Sequence, residues 1–461
     1  MISQYGRKLY ASRDDPSDQQ DDLISGNVPV AVYGLGKMGL PLAAVYADVT
    51  TAVIGVDTDE EVVETVNRGV SHVTGEPGLS EAVSRAVSEG WLRATDEGER
   101  AAEEASVHVV IVPTLVDESD DPDLSVVKDV TRTIAAGLEP GDVVIAESTL
   151  PPRTCRDVLL PLLERESGLS REEFGLAFCP ERTSSGRALE DIRGAHPKIV
   201  GGVDEESTRA ATLIYEQITD NDVLAVSDAT TAEAVKVFEG VYRDVNIALA
   251  NELGRHSSAL GIDVVEAIEA ANTQPFCDIH TPGAGVGGHC IPYYPYFLIG
   301  PFDEDTQLLE TARAVNDEMP FYTAQLALDT LRGQGVDPAD ASILVLGLTY
   351  RPGVEEIRAT PALPVVKRLD RSGASVFAHD PVLTDYDAFE EAGAEITETV
   401  DLDDNQFDAV VLVTPQAAFE DIDVPELGPE ERPLVVVDGR QDLTHLRDRD
   451  DVTYRGVGLD G

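Results

Sequence analysis

A chain of 461 residues that is 42% hydrophobic is too long for one hydrophobic core and too apolar for wholesale disorder. Its 86 acidic against 34 basic residues give a formal net charge of -52, which disfavours nucleic acid and anionic membranes as partners. Only six of the basic residues are lysines and the acids run through the whole sequence, as expected of a surface adapted to a salt-loaded cytoplasm, where high ionic strength screens self-repulsion.

Residues 1–26 are polar and acidic, without the apolar stretch of a signal peptide, and read as a partly ordered extension. No run approaches the ~18 apolar residues of a membrane span. From 27 to 205, β-branched runs alternate with helical patterns: "VPVAVYG", "AVIGVD", "VHVVIVP", "DVVIAES", "GLAFCP" and "KIVGG". That alternation predicts a parallel sheet with helices on both faces. Residues 206–330 read as helical. Val235, Phe238, Tyr242, Val245, Leu249 and Leu253 recur at helical spacing, so one helix is expected from Asp228 to about Leu260. From 331 to 461 a second set of strands follows, "SILVLGL", "ASVFAHD", "DAVVLVTP" and "PLVVVDG". The fold expected is therefore α/β: two Rossmann-like parallel-sheet domains joined by a central all-helical domain with one long helix.

The segment "VAVYGLGKMGLPLA" places Gly34, Gly36 and Gly39 after a strand and at the opening of a helix, with Lys37 and Met38 between them. The first glycine allows the tight turn, the second lets backbone approach a pyrophosphate, and the third lets helix pack on strand. Asp57 ends the second strand, where a carboxylate accepts from the adenosine ribose and repels a 2′-phosphate, so NAD is expected rather than NADP. The second Rossmann-like turn, "GLTYRPG", lacks the pattern. It is open between nucleotide binding through side chains such as Arg351 and a structural role.

Four cysteines, at 155, 179, 277 and 290, have no paired CxxC spacing, so neither a disulfide framework nor a metal site is expected. Cys290 stands apart in "GAGVGGHCIPYYPYF". Glycines at 283, 285, 287 and 288 read as a flexible approach that presents an exposed thiol, with His289 beside it. On the long helix, Lys236, Gly240 and Arg243 share one face, with Glu233 and Glu239 as ordinary partners for the two cations.

Together these residues resemble the UDP-glucose/GDP-mannose dehydrogenase family, from about Val28 onward. The motifs are "GLGKMGLPLA", "VPT", "ESTLPP", "CPER", "PKIVGG", "EAVKVFEGVYRDVNIALANEL", "GVGGHCIP", "ARAVNDEMP", "GLTYRPGVEEIRATPA" and "VVVDGR". The resemblance implies a two-step, four-electron oxidation of a UDP-sugar at C6, with NAD as cofactor and a homodimer built on the central helices. It implies Cys290 as nucleophile, Lys236 as stabiliser of oxyanionic intermediates and Glu181 as a base or water-positioning group. Pro113, Thr114, Ser148 and Thr149 fall at cofactor positions. Arg182, Arg243, His289, Arg313, Arg351 and Arg358 fall at substrate positions, and Arg440 at a nucleotide-sugar or interdomain one. Two departures stand out: the family's usual asparagine four residues after the lysine is Gly240, and its usual aspartate four residues after the cysteine is Tyr294. Asn246, ~80° around the helix from Lys236, is the candidate substitute. "PER", "RDVNIALANE" and "GGHCIP" resemble the N-acetylhexosamine branch, archaeal UDP-N-acetylmannosamine 6-dehydrogenases above all, so UDP-N-acetylmannosamine is expected ahead of UDP-N-acetylglucosamine and UDP-glucose. Its product would feed polysaccharide or protein glycosylation. The rival classes are a two-electron hydroxyacid dehydrogenase, which needs neither the cysteine nor residues 331–461, and a non-catalytic nucleotide-sugar sensor.

Overall fold

The computed structural model describes residues 7–117, 119–397 and 406–459, which divide into two compact units. The first comprises residues up to Glu239 together with Tyr296–Asp303, and the second Gly240–Pro295 with the rest of the chain.

In the first unit the strands are β1 (Val30–Tyr33), β2 (Val53–Val56), β3 (Leu92–Thr95), β4 (Val107–Val110), β5 (Leu115–Val116), β6 (Pro122–Asp123), β7 (Val143–Ala146), β8 (Gly175–Phe178), β9 (Lys198–Gly202) and β10 (Val223–Ala225). Apart from the small β5–β6 hairpin they form one sheet in the order β10-β9-β8-β7-β4-β1-β2-β3. The β-branched runs of β1, β2, β4 and β7 are buried throughout, as parallel strands covered on both faces must be. The sheet reverses its strand order between β1 and β4, and ligands of such sheets bind where the order reverses, outside the carboxyl ends of the strands. Two features depart from the sequence reading. The sheet runs on past residue 205 to take in the helix Glu205–Ile218 and β10, and the β8–β9 pairing is antiparallel. Within the extension, from residue 7 onward, Asp15 caps the helix Pro16–Ile24, and Leu9, Tyr10 and Leu23 are buried in the core under the sheet.

In the second unit, β11 (Ser342–Leu346), β12 (Ser375–His379), β13 (Ala394–Ile396), β14 (Ala409–Leu412), β15 (Leu434–Asp438) and β16 (Val452–Gly456) form an all-parallel sheet in the order β13-β12-β11-β14-β15-β16. Its order reverses between β11 and β14, so it has the same kind of switch point.

The long helix spans Ala229–Arg255, about 40 Å at ~1.5 Å per residue, and begins in one unit and ends in the other. It stops short of Leu260: the amide of His256 donates to the carbonyl of Leu253, a tighter i→i+3 bond that closes the last turn. The central region is also less helical than expected. Between Asn272 and Pro295, prolines at 275, 282, 292 and 295 and the glycine run hold the chain in loops and turns. A second long helix, Gln307–Gly333, follows.

Candidate active site

In the first unit, the loop after β1 turns at Gly34, whose φ of 96° suits glycine, and a Cβ at Gly39 would lie 1.8 Å from the Gly34 carbonyl oxygen. A Cβ at Gly36 would meet nothing within 4 Å, so that side of the loop is open to a ligand at the head of the helix Gly39–Thr50. Asp57, half-buried just past β2, accepts from the Leu35 amide at 2.8 Å. Across the switch point, Ser148 ties down the loop after β4. Its hydroxyl accepts from the Val112 amide at 2.9 Å and donates to the Val112 carbonyl at 2.7 Å. That loop carries Pro113, which is exposed, and Thr114, whose buried hydroxyl has no partner among the described residues. Open space over Gly36 and an unmatched hydroxyl on the facing loop fit a bound dinucleotide. Lys37 is exposed and Thr149 half-buried.

The "CPER" segment lies beside this loop. Thr183 Oγ1 donates to Met38 Sδ at 2.9 Å and is hydrogen-bonded to Glu181. Lys236, buried on the long helix, has its ammonium 3.6 Å from Glu181. Burial opposes the charge on Glu181, but Lys236, Thr183 and Lys198 outweigh it and hold the carboxyl below its usual range, ionised at neutral pH. Lys198 reinforces this geometry from beneath, donating to Glu147 at 2.7 Å and to the Pro180 carbonyl at 3.2 Å. Neither acid expected to pair with the helix cations does so in the manner foreseen. Glu239 pairs with Arg182 at 2.6 Å. Glu233 is wholly buried and accepts from the backbone amides of Arg153 and Cys155 at 2.6 and 2.7 Å. Burial pushes its carboxyl up to about 7, against the pull of those donors. It fastens the stretch after "ESTLPP" to the helix, a role that no local sequence signal announces.

All four cysteines are free: Cys290, in the second unit, alone is exposed, while Cys155 and Cys179, in the first, are buried with their thiols pushed up by desolvation. The glycines before it serve close packing rather than flexibility. A Cβ at Gly283 would lie 2.6 Å from the Arg440 guanidinium, and one at Gly287 would lie 2.7 Å from Tyr350 Cβ and 2.8 Å from the Ala359 carbonyl oxygen. Arg440, half-buried, donates to the Gly285 carbonyl at 2.9 Å, and the Gly288 amide donates to the Arg358 carbonyl at 2.9 Å. The thiol thus stands at the end of a braced strand of backbone. Its own carbonyl accepts from the amides of Tyr293 and Tyr294, closing one turn.

The chain matches the NAD binding domain of the UDP-glucose/GDP-mannose dehydrogenase family over residues 28–219, the central domain over 230–318 and the UDP binding domain over 344–445. It is 37% identical over 413 residues to the UDP-N-acetyl-D-mannosamine dehydrogenase of Pyrococcus horikoshii, covering 89% of this chain and 95% of that one. It is 36% identical over 347 residues to an NDP-N-acetyl-D-galactosaminuronic acid dehydrogenase of Ralstonia solanacearum, covering 74% and 79%. The solved structure of the P. horikoshii UDP-D-ManNAc dehydrogenase superposes with a TM-score of 0.85 at 34% identity, over 94% of this chain and 99% of that one. The chain belongs to the UDP-glucose/GDP-mannose dehydrogenase family.

This family member is accordingly an NAD-dependent oxidoreductase. Its UDP-binding domain repeats the Rossmann turn with one change, at the acid that follows the second strand. Asp380, just past β12, is fully buried and accepts from the amides of Leu348 and Thr349 at 2.7 and 3.0 Å and from Gln416 at 3.0 Å. Unlike the half-buried Asp57, its carboxylate is used up inside the protein.

Several expected substrate residues are occupied elsewhere. Arg313 is buried, with its guanidinium paired to Asp244 at 2.6 Å and to Asp317, so it ties the two long helices together. His289 pairs with Glu356 rather than turning to the neighbouring thiol. Arg182 is held between Glu239 and the Pro197 carbonyl. Arg243 and Arg351 are exposed, and Arg358 is half-buried. Asn246 is engaged with a loop of the same unit. Its amide donates to the Asp278 carbonyl at 2.6 Å and to the Tyr242 hydroxyl at 3.1 Å, and accepts from the His280 amide at 2.9 Å, which makes it the anchor of the 278–280 loop.

Proposed function

We propose that this enzyme oxidises C6 of a UDP-N-acetylhexosamine, UDP-N-acetylmannosamine first among them, to the carboxylate through a covalent intermediate on Cys290. The observation that carries this reading is the exposed Cys290 thiol, held at the end of a closely packed glycine run. Two NAD molecules, bound in turn over the glycine loop, would each supply a hydride acceptor, one for each oxidation. In the first step the C6 alcohol loses a hydride and a proton. Cys290 Sγ then bonds to the aldehyde carbon, and Lys236 stabilises the oxyanion before its protonation to the thiohemiacetal. Loss of the second hydride and a proton leaves a thioester. Water, deprotonated by the ionised Glu181, cleaves it to the acid and frees the thiol. Asp57, half-buried just past β2, selects the unphosphorylated ribose of NAD. Arg243 and Arg351 are the arginines we assign to the substrate.

The names of the similar proteins favour an N-acetylated hexosamine. Assayed side by side, UDP-N-acetylmannosamine should show kcat/KM at least about 10-fold above UDP-N-acetylglucosamine and UDP-glucose, since a misplaced acetamido group leaves site donors unmatched. Preference for either competitor would replace the sugar and leave the oxidation chemistry standing.

We further propose a homodimer. Phe238, Tyr242 and Leu249 are exposed at i, i+4 and i+11 along the long helix, and Phe276, 92% exposed, lies in the loop whose Asp278 neighbours Tyr242. We also propose a reducing, salt-rich cytoplasm as its compartment and supply of aminouronic acid for surface polysaccharide as its role, a reading that the free thiols and acidic composition support. With a charge of -52, folding and activity should hold in molar KCl and fall away towards ~0.1 M, where the ~10 Å Debye length no longer screens neighbouring carboxylates. A flat stability profile from low to molar KCl would contradict the salt adaptation.

A further inference from the structure

The two departures from the family motifs, Gly240 and Tyr294, lie 54 positions apart in sequence and in contact in space. A Cβ built on Gly240 would lie 2.2 Å from Tyr294 Cδ2 and 2.9 Å from its Cβ and Cγ, so the buried aromatic ring rests directly on the bare backbone of the long helix. No side chain fits between them. The Tyr294 amide donates to the Cys290 carbonyl at 2.9 Å, so the residue that sits on the helix also closes the turn that begins at the thiol.

We propose that Gly240 and Tyr294 form a ring-on-glycine seat that positions the Cys290 turn against the long helix, each residue requiring the other. The proposal rests on Cys290 being the nucleophile. Tyr294 acts here through its ring, as a positioning residue, and Gly240 by lacking a side chain. A methyl group at 240 must push the ring away and carry the turn with it, whereas removal of the ring makes the methyl harmless.

The test is a double-mutant cycle on the full-length enzyme in high salt, with NADH formation from the UDP-sugar as readout. Gly240→Ala should lower kcat at least about 30-fold, with KM for NAD within about twofold of wild type. Tyr294→Ala should lower kcat about 10-fold, and Tyr294→Phe, which keeps the ring, should restore it to within about twofold. The double variant Gly240→Ala/Tyr294→Ala should be no slower than Tyr294→Ala alone, even if Gly240→Ala by itself fails to fold. A double variant that shows the product of both losses, or that fails to fold when Tyr294→Ala folds, would overturn the seat. So would a near-normal Gly240→Ala, or a Tyr294→Phe as slow as Tyr294→Ala, which would assign the role to the hydroxyl. Cys290→Ala in the same assay separates the two ideas: undiminished acid formation there defeats the nucleophile itself.

Discussion

Cys290→Ala should reduce production of the uronic acid by at least about 10³-fold while leaving NAD binding intact, because in the proposed mechanism the thiol forms the bond that carries the aldehyde into its second oxidation. The other cysteines offer no substitute. Cys155 and Cys179 are buried with thiols made harder to ionise, and Cys277 is half-buried in the loop after Asn272. Cys155→Ala and Cys179→Ala should therefore act through stability alone, with kcat per folded molecule unchanged. Mass spectrometry of the quenched enzyme provides the direct check, since wild type should carry the sugar on Cys290 during turnover. Turnover of Cys290→Ala within tenfold of wild type would refute covalent catalysis.

The second large effect is expected at Lys236. Replacement by alanine removes a buried ammonium 3.6 Å from Glu181 and should cost about 10²- to 10³-fold in kcat, the range seen when one oxyanion-stabilising group is lost. It should also change the pH profile in a defined direction. Lys236 is the largest of the influences that overcome burial to hold Glu181 ionised. Without it the Glu181 carboxyl must rise, so the acidic limb of the kcat profile should move to higher pH. A Lys236→Ala enzyme with an unshifted acidic limb would show that Glu181 is not the titrating base.

How legible these features were depends on whether the constraint is local. Gly34, Gly36, Gly39 and Asp57 could be read because the tight turn, the open approach and the strand end lie within one βαβ unit, and backbone geometry there dictates residue type. Both sheets were legible for the same reason: their β-branched runs are buried on both faces. The antiparallel pairing of β9 was not, nor were β3, β10, β13 and β16, which are only partly buried at the sheet margins. Cys290 was identified from its glycines although the physical reason differs, since those glycines are needed for close packing rather than freedom of movement. What sequence withheld was partner choice. Arg313 meets Asp244 across 69 positions and Glu233 meets Cys155 across 78, and nothing near either residue announces the pairing. The loop contacts of Asn246 were hidden for the same reason, lying more than 30 positions away.

The central claim, a four-electron oxidation routed through one thiol, is tested most directly by the stoichiometry of NADH to sugar, measured in molar KCl with limiting UDP-N-acetylmannosamine. Two NADH for each sugar consumed, with the uronic acid as sole product, is the predicted result. One NADH for each sugar, with aldehyde released into solution, would contradict it.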